Sequence, residues 1–482
     1  MITGDKGIMI MPDGSRAVYD YRRIWIWLCL GWAVSSADRT VTGPVVTWMI
    51  QHKIAFLSGG NPYATGGLIG GIFFAAYMLA QFPGGYAGDR HGHRSVIIIS
   101  LFWAAAATLV SGLVGGLAAF IAARIATGLG EGVYYANDRV VITETTPERR
   151  RSFALGVVIT GLAIGITLAI MSAPFLIALG NRVLGYNNAW RMPFFILAVI
   201  TTVISFFISK DLWKTKTDKD RPAGALVVLL RYAVVFFILL FGLFLISHAH
   251  ALPAWGLAML ELLLALAVIA FIFFVKGRKM SGALSDPNLI LLYIACIAVL
   301  WNLWFFGFWA VSIVAGHGAN SFRTAALTAM FTGLAGIIGF PVGGWIADRS
   351  RAVRIGRKPV LLGFTFLQLL CTLSLAIYIQ HGGTSPMVMA PILFFAGLFF
   401  SALQPAGHAL VADIAQPAHR GSAFGLYNLI GEIGAVLSPV LGGTLRDHYG
   451  GWAPAIYLDC GVIAISFICI LFLRERLAAS QG

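Results

Sequence analysis

Fourteen long apolar stretches run through the chain, near 24–50, 66–88, 95–113, 117–143, 153–179, 190–209, 226–247, 254–276, 287–316, 323–347, 358–380, 387–414, 421–444 and 453–474. A helical span needs roughly 20 apolar residues to cross a bilayer. Hydrocarbon offers the backbone no water, so such stretches settle as helices whose N–H and C=O groups bond to one another. The chain therefore reads as an all-α polytopic membrane protein with about 14 transmembrane helices. Its composition agrees: 59% of residues are hydrophobic and 11% charged.

A net charge of +14 invites a nucleic-acid partner, but the placement of the charges argues against one. With the N-terminus in the cytoplasm, 25 of the 34 Lys and Arg residues fall in tails and connections on that same side. This is the positive-inside pattern, and an even number of spans puts both termini in the cytoplasm. The surplus charge sets topology and meets anionic lipid. Residues 1–22 are polar and the first apolar run is too long for the core of a cleavable signal, so none is expected. Cys29, Cys296, Cys371, Cys460 and Cys469 are scattered without CxxC spacing, so neither disulfides nor a metal site is expected.

The chain also repeats itself. GGYAGDRHGHR at 84–94 returns as GGWIADRSRAVRIGRK at 343–358, each behind a Phe-Pro pair (Phe82-Pro83, Phe340-Pro341). Glycines ahead of the acid let two helices approach closely, which makes Asp89, Arg90, Arg94, Asp348 and Arg349 candidate gating residues at the cytoplasmic turns. A second echo pairs RSFALG at 151–156 with RGSAFG at 420–425, and each opens a helix with spaced glycines and a proline. Small residues at such spacing allow packed helices to rock. Two six-helix bundles follow, 23–210 and 287–475, flanked by cytoplasmic tails at 1–22 and 476–482. Between the bundles, 211–286 holds a charged linker and two inserted helices, expected to be lipid-facing accessories.

Charges inside apolar runs carry the functional reading, since each costs at least ~2.5–3.5 kcal/mol in hydrocarbon. Asp38, Arg39, Arg124, Glu131 and Glu432 are such charges. Arg124 and Glu131 are seven apart and share one helix face; Asp38 and Arg39 are neighbours and diverge by roughly 100°. Arginine's planar fork suits a carboxylate, and a desolvated carboxyl takes up protons more readily than one in water. Arg39 and Arg124 are thus candidate anion ligands, and Asp38, Glu131 and Glu432 candidate proton carriers. Tyr77 and Gln81 share a face and can bond a ligand. Asn302, Trp304, Gln404 and Asn428 are candidate contacts from the second bundle. Each has a plainer alternative: Arg124 with Glu131 as a packing pair, Asp38 as a neutralising neighbour, and the tryptophan-rich run at 301–309 as aromatic lining. His91 and His93 fall in a basic loop and are expected to be solvated.

These residues resemble a specific branch of known transporters. YMLAQFPGGYAGDR at 77–90, SADR at 36–39, RIATGLGEG at 124–132 with NDRVV at 137–141, and GLYNLIGEIG at 425–434 are similar to the anion:cation symporter family of the major facilitator superfamily. The resemblance covers both bundles and not the inserted pair. It implies symport of a proton with a small organic anion, most often a sugar acid, across a bacterial inner membrane. Where that family carries a proline after its fourth-helix glutamate, this chain has Tyr134-Tyr135-Ala136.

The expected function is proton-coupled import of an organic carboxylate by alternating access, with the proton as coupling ion and no cofactor. An exporter or antiporter on the same fold is the alternative, although its pocket would not call for two intramembrane arginines. A non-transporting sensor ranks lower. No enzyme is expected, since no nucleophile–base arrangement is visible.

Overall fold

The structure is a computed structural model that describes residues 7–10, 16–147, 151–276, 286–318, 321–416 and 420–475. The expected C-terminal tail, 476–482, and parts of the N-terminal tail lie outside the described residues. What is described of that N-tail departs from an all-helical chain. Strands β1 (Gly7–Ile10) and β2 (Arg16–Tyr19) pair antiparallel, with Gly7 opposite Tyr19.

Helices account for nearly everything else. They are α1 (Tyr21–Gln51), α2 (Pro62–His91), α3 (His93–Leu113), α4 (Leu117–Gly132), α5 (Tyr134–Thr145), α6 (Arg151–Leu184), α7 (Met192–Leu212), α8 (Pro222–Ala249), α9 (Ala254–Lys276), α10 (Pro287–Ala315), α11 (Phe322–Ala329), α12 (Phe331–Ala352), α13 (Lys358–Gln380), α14 (Pro386–Ile414), α15 (Arg420–Tyr449) and α16 (Ala453–Phe472). Their starts follow the local chemistry. The Asp20 side chain accepts the Arg22 amide to cap α1, Asp286 accepts the Asn288 amide to cap α10, and proline opens α8, α10 and α14. Gly92 alone joins α2 to α3, at φ 89°, in the left-handed region that favours glycine.

Among the described residues, twelve helices are long and apolar enough to cross a membrane. The two further spans expected from the sequence fall on α1 and on α4–α5. α1 is polar at its centre, where Ser35, Ser36, Asp38, Arg39 and Thr40 follow closely. The α4–α5 stretch breaks at Val133, leaving α4 only 16 residues long.

The chain forms two compact units, one of residues 1–58 and 72–253, the other of 59–71 and 254–482. Each has the same internal pairing. In the first unit α1 packs on α6, and α3 on α4 and α7; in the second α10 packs on α15, and α13 on α14 and α16. The inserted helices are divided between them: α8 packs on α4 and α3, while α9 packs on α15. Both carry many exposed apolar residues, but Glu261 on α9 is fully buried and neither of its oxygens has a hydrogen-bond partner among the described residues.

Small residues set the α1–α6 spacing. A Cβ at Gly161 would fall on the Cys29 carbonyl, and one at Gly165 on the Ala33 carbonyl. Gly165→Leu should therefore force α1 off α6, with an overpacking penalty of about 1–3 kcal/mol or more. Thermal denaturation of purified protein checks this. Gly165→Leu should melt lower than the parent, and Gly156→Ala, where nothing lies within 4 Å, should not; equal melting of the two variants would remove the role given to Gly165.

Candidate functional site

The four charges singled out on α1 and α4 meet inside the first unit. Asp38 is 2% exposed, Arg39 6%, Arg124 1% and Glu131 1%. They pair crosswise rather than along one helix. Arg39 Nε donates to Glu131 Oε2 at 2.7 Å, and Ser35 Oγ donates to the same oxygen at 2.7 Å. Arg124 Nη1 lies 3.4 Å from Asp38 Oδ2, and Thr108 Oγ1 donates to Asp38 Oδ1 at 2.8 Å. The alternative of an Arg124–Glu131 packing pair is therefore replaced: the shared helix face aligns the two side chains, and each then finds its partner on α1.

Both guanidiniums rest on aromatic rings of α2. Arg39 sits 4.5 Å from the Tyr77 ring centre and Arg124 4.7 Å from that of Phe73. These rings, one helical turn apart, stack with centroids 6.3 Å apart and planes 24° apart. The glycines of RIATGLGEG explain how α2 comes so close: a Cβ at Gly128 would fall on the Phe73 carbonyl and one at Gly132 on the Tyr77 carbonyl. Cation–π contact satisfies a guanidinium face and leaves its edge for hydrogen bonding. Arg124 Nε has no hydrogen-bond partner among the described residues. A small cavity opens beside the two acids, lined by Ser35, Asp38, Ser100, Thr108, Glu131 and Tyr134 among others. Gln81, one turn beyond Tyr77, is half-buried.

Toward the end of the first unit that carries the repeated motif, Arg94 is the buried member. It donates to Thr215 Oγ1 and Glu144 Oε2, both at 3.1 Å. Asp89 and Arg90 are exposed, and Arg90 donates to the Tyr86 hydroxyl at 2.9 Å. His93, expected in solvent, is instead mostly buried and bonded to Asn137 Oδ1 at 2.8 Å. It lies opposite Gly88, whose missing side chain leaves it room.

The second unit arranges its copy differently. Asp348 and Asp413 converge on Arg357, and Arg349 is exposed. Burial by itself would disfavour the charged form of Arg357, and hydrogen bonds to Asp348 and Asp413 outweigh it, holding the guanidinium more firmly charged than a free arginine.

Of the second-unit candidates, Asn302 is committed to a partner that sequence reasoning passed over. Its Nδ2 donates at 2.6 Å to Asp459 Oδ2 on α16, and Asp459 is fully buried. Asn428 donates to Glu432 Oε1 at 3.3 Å within α15, while Trp304 and Gln404 are buried at 4% and 5% exposure. The deep charges are thus more numerous than expected: Asp138, Glu261 and Asp459 are also buried. Asp459 gave the same signal as Asp38, an acid inside an apolar run. Asp138 stood out less, because it sits between Asn137 and Arg139 near the end of its apolar run.

Comparison with known proteins agrees with this architecture. The sequence profile described as Major Facilitator Superfamily matches residues 28–351 and 313–481. The chain is 24% identical over 422 residues to a D-galactonate transporter of Escherichia coli O6:H1, covering 84% of this chain and 86% of that one. It is 21% identical to a hexuronate transporter of Bacillus subtilis, covering 86% and 87%, and 24% identical to a probable galactarate/D-glucarate transporter of Escherichia coli K12, covering 91% of each. Among solved structures, a bacterial homologue of the human lysosomal transporter Spinster has the same fold, with TM-score 0.61, 16% identity and 94% of each chain covered.

The Asn302–Asp459 bond makes a prediction about stability. Asn302→Leu strands a buried carboxyl and should lower stability by roughly 1–3 kcal/mol. Removing the stranded group as well, in Asn302→Leu/Asp459→Leu, should recover much of that loss, because an apolar pair leaves nothing unsatisfied. Thermal melting of both variants reads the effect, and an unchanged midpoint for Asn302→Leu would count against a bond that matters.

Proposed function

The chain belongs to the Major Facilitator Superfamily, a transporter and not an enzyme, and from that premise we propose that it imports a small organic anion together with protons. The anion is a sugar acid or a related carboxylate, in keeping with the named substrates of its relatives. The membrane is the bacterial inner membrane, with both termini in the cytoplasm.

The observation that carries the reading is the crossed quartet of Asp38, Arg39, Arg124 and Glu131 on its Phe73–Tyr77 platform. With all four ionised, the quartet is neutral. A substrate carboxylate that takes up a fork of Arg124 or Arg39 adds one negative charge to a poorly screened interior. A proton on Glu131 or Asp38 cancels it. Substrate and proton therefore favour each other's binding, and the pair crosses with less uncompensated charge than either acid–base set alone. Arginine is needed because its fork matches a carboxylate and keeps its charge. Tyr77 and Gln81 are placed to meet substrate hydroxyls. Glu131 is the coupling acid, since it shares a face with Arg124 and bonds Arg39; Asp38 hands its proton on, and Glu432 is next in line in the second unit. Asp89, Arg90, Arg94, Asp348 and Arg349 act at the gates as the bundles rock.

Two outcomes check this in proteoliposomes. Arg39→Ala and Arg124→Ala should each abolish uptake, with affinity lowered at least ~100-fold, and Lys at either position should not fully restore it. Near-normal uptake by Arg124→Ala would remove that residue from the anion site. Glu131→Gln should still bind substrate and exchange it across the membrane while losing accumulation driven by a pH gradient. Should Glu131→Gln accumulate substrate as well as the parent, the proton travels on another group.

A further inference from the structure

A third acid–arginine pair continues the line of the first two. Arg124, Glu131 and Asp138 succeed one another at intervals of seven residues, the first two on one face of α4 and the third on α5 beyond the break at Val133. Trp32 on α1 donates its Nε1 proton to Asp138 Oδ2 at 2.7 Å, which pins the indole ring. Two guanidiniums then lie against that same ring. Arg39 is 5.5 Å from its centre and Arg139 5.7 Å, and Arg139 also lies 5.2 Å from the Tyr135 ring.

Arg139 is held but not used up. Its Nε is 3.7 Å from Asp138 Oδ1, beyond hydrogen-bond reach, and its guanidinium makes no hydrogen bond among the described residues. Its side chain is 22% exposed, against 3% for Arg39. Trp32, Tyr135 and the buried Asp138 thus seat a charged fork whose donors are open among the described residues, about two turns along the chain from Glu131 and more exposed than Arg39. Since both arginines touch one ring, their guanidinium centres are at most about 11 Å apart, a gap that one short dicarboxylate can bridge with a fork at each end.

We propose that Arg139, seated on Trp32 and Tyr135, is a second anion subsite that takes the far carboxylate of a dicarboxylic sugar acid while Arg39 and Arg124 hold the near one. The proposal rests on the anion-transport reading given above and narrows its substrate class. A monocarboxylate of the same carbon skeleton fills only the inner forks and is indifferent to Arg139. A diacid gains a second charge-assisted contact, and its second charge is met by a cation already present.

Calorimetric titration of the purified full chain with galactarate and with galactonate tests this, because the two differ in the terminal carboxylate. The parent should bind galactarate at least tenfold tighter. Arg139→Gln should erase that preference, weakening galactarate tenfold or more and leaving galactonate within twofold; Arg139→Lys should keep part of it. Galactonate serves as the folding control inside each variant, since a collapsed site loses both ligands. Equal weakening of both ligands in a variant that melts like the parent would overturn the subsite and leave Arg139 as a packing residue. Galactonate binding without any preference for galactarate in the parent would also sink the subsite while leaving the carboxylate site standing. Binding of neither acid by a well-folded parent would remove the carboxylate reading and the subsite together.

Discussion

The crossed pairing of two arginines with two acids in the interior of the first unit is the interaction on which the rest depends. An isolated charge there is costly, and a pair is tolerable only when each partner is close and its remaining donors and acceptors are met. Arg39 with Glu131 and Arg124 with Asp38 meet that condition across helices, with Ser35 and Thr108 filling further lone pairs. The arrangement also couples α1 to α4 electrostatically. A change of charge at either acid alters what holds the two helices together.

Such closeness has a steric condition. Gly128 and Gly132 bring α4 against α2 at the carbonyls of Phe73 and Tyr77, the two residues whose rings carry the guanidiniums. The motif that supplies the charges thus also supplies the absence of side chains that seats them. The second unit uses the same device in its own pairings: Gly343 lies against Ala402, and Gly434 against Ile297 and Trp301. Duplication preserved the backbone approach in both units, while the charges diverged. The second unit has Asn302 with Asp459 and Asn428 with Glu432, amide–acid pairs in place of arginine–acid pairs.

The repeated Asp-Arg motif diverged as well. In the first unit Arg94 is buried among Thr215, Glu144 and Asp220, and His93 bonds Asn137. In the second, Arg357 gathers Asp348 and Asp413, and Glu475 accepts the backbone amides of Arg357 and Lys358 at the start of α13. Conserved spelling at Asp-Arg thus coexists with different partners, since the residues that answer the charge come from outside the motif.

The sequence by itself determined the helical membrane class, the internal repeat and the deep charges Asp38, Arg39, Arg124 and Glu131 that the first unit gathers. Hydropathy is a property of contiguous residues, and a charge in an apolar run stands out because its burial is expensive. Helix-face arithmetic likewise put Arg124 and Glu131 in line. What only the tertiary structure decided was who answers whom. Arg39 reaches Glu131 and Arg124 reaches Asp38 because of the register of α1 against α4, and register between distant segments is written in packing rather than in local spacing. The same reason hid Phe73 as a platform, His93 as a buried group and Asn302 as the partner of Asp459: each role belongs to a residue whose meaning comes from a helix elsewhere in the chain.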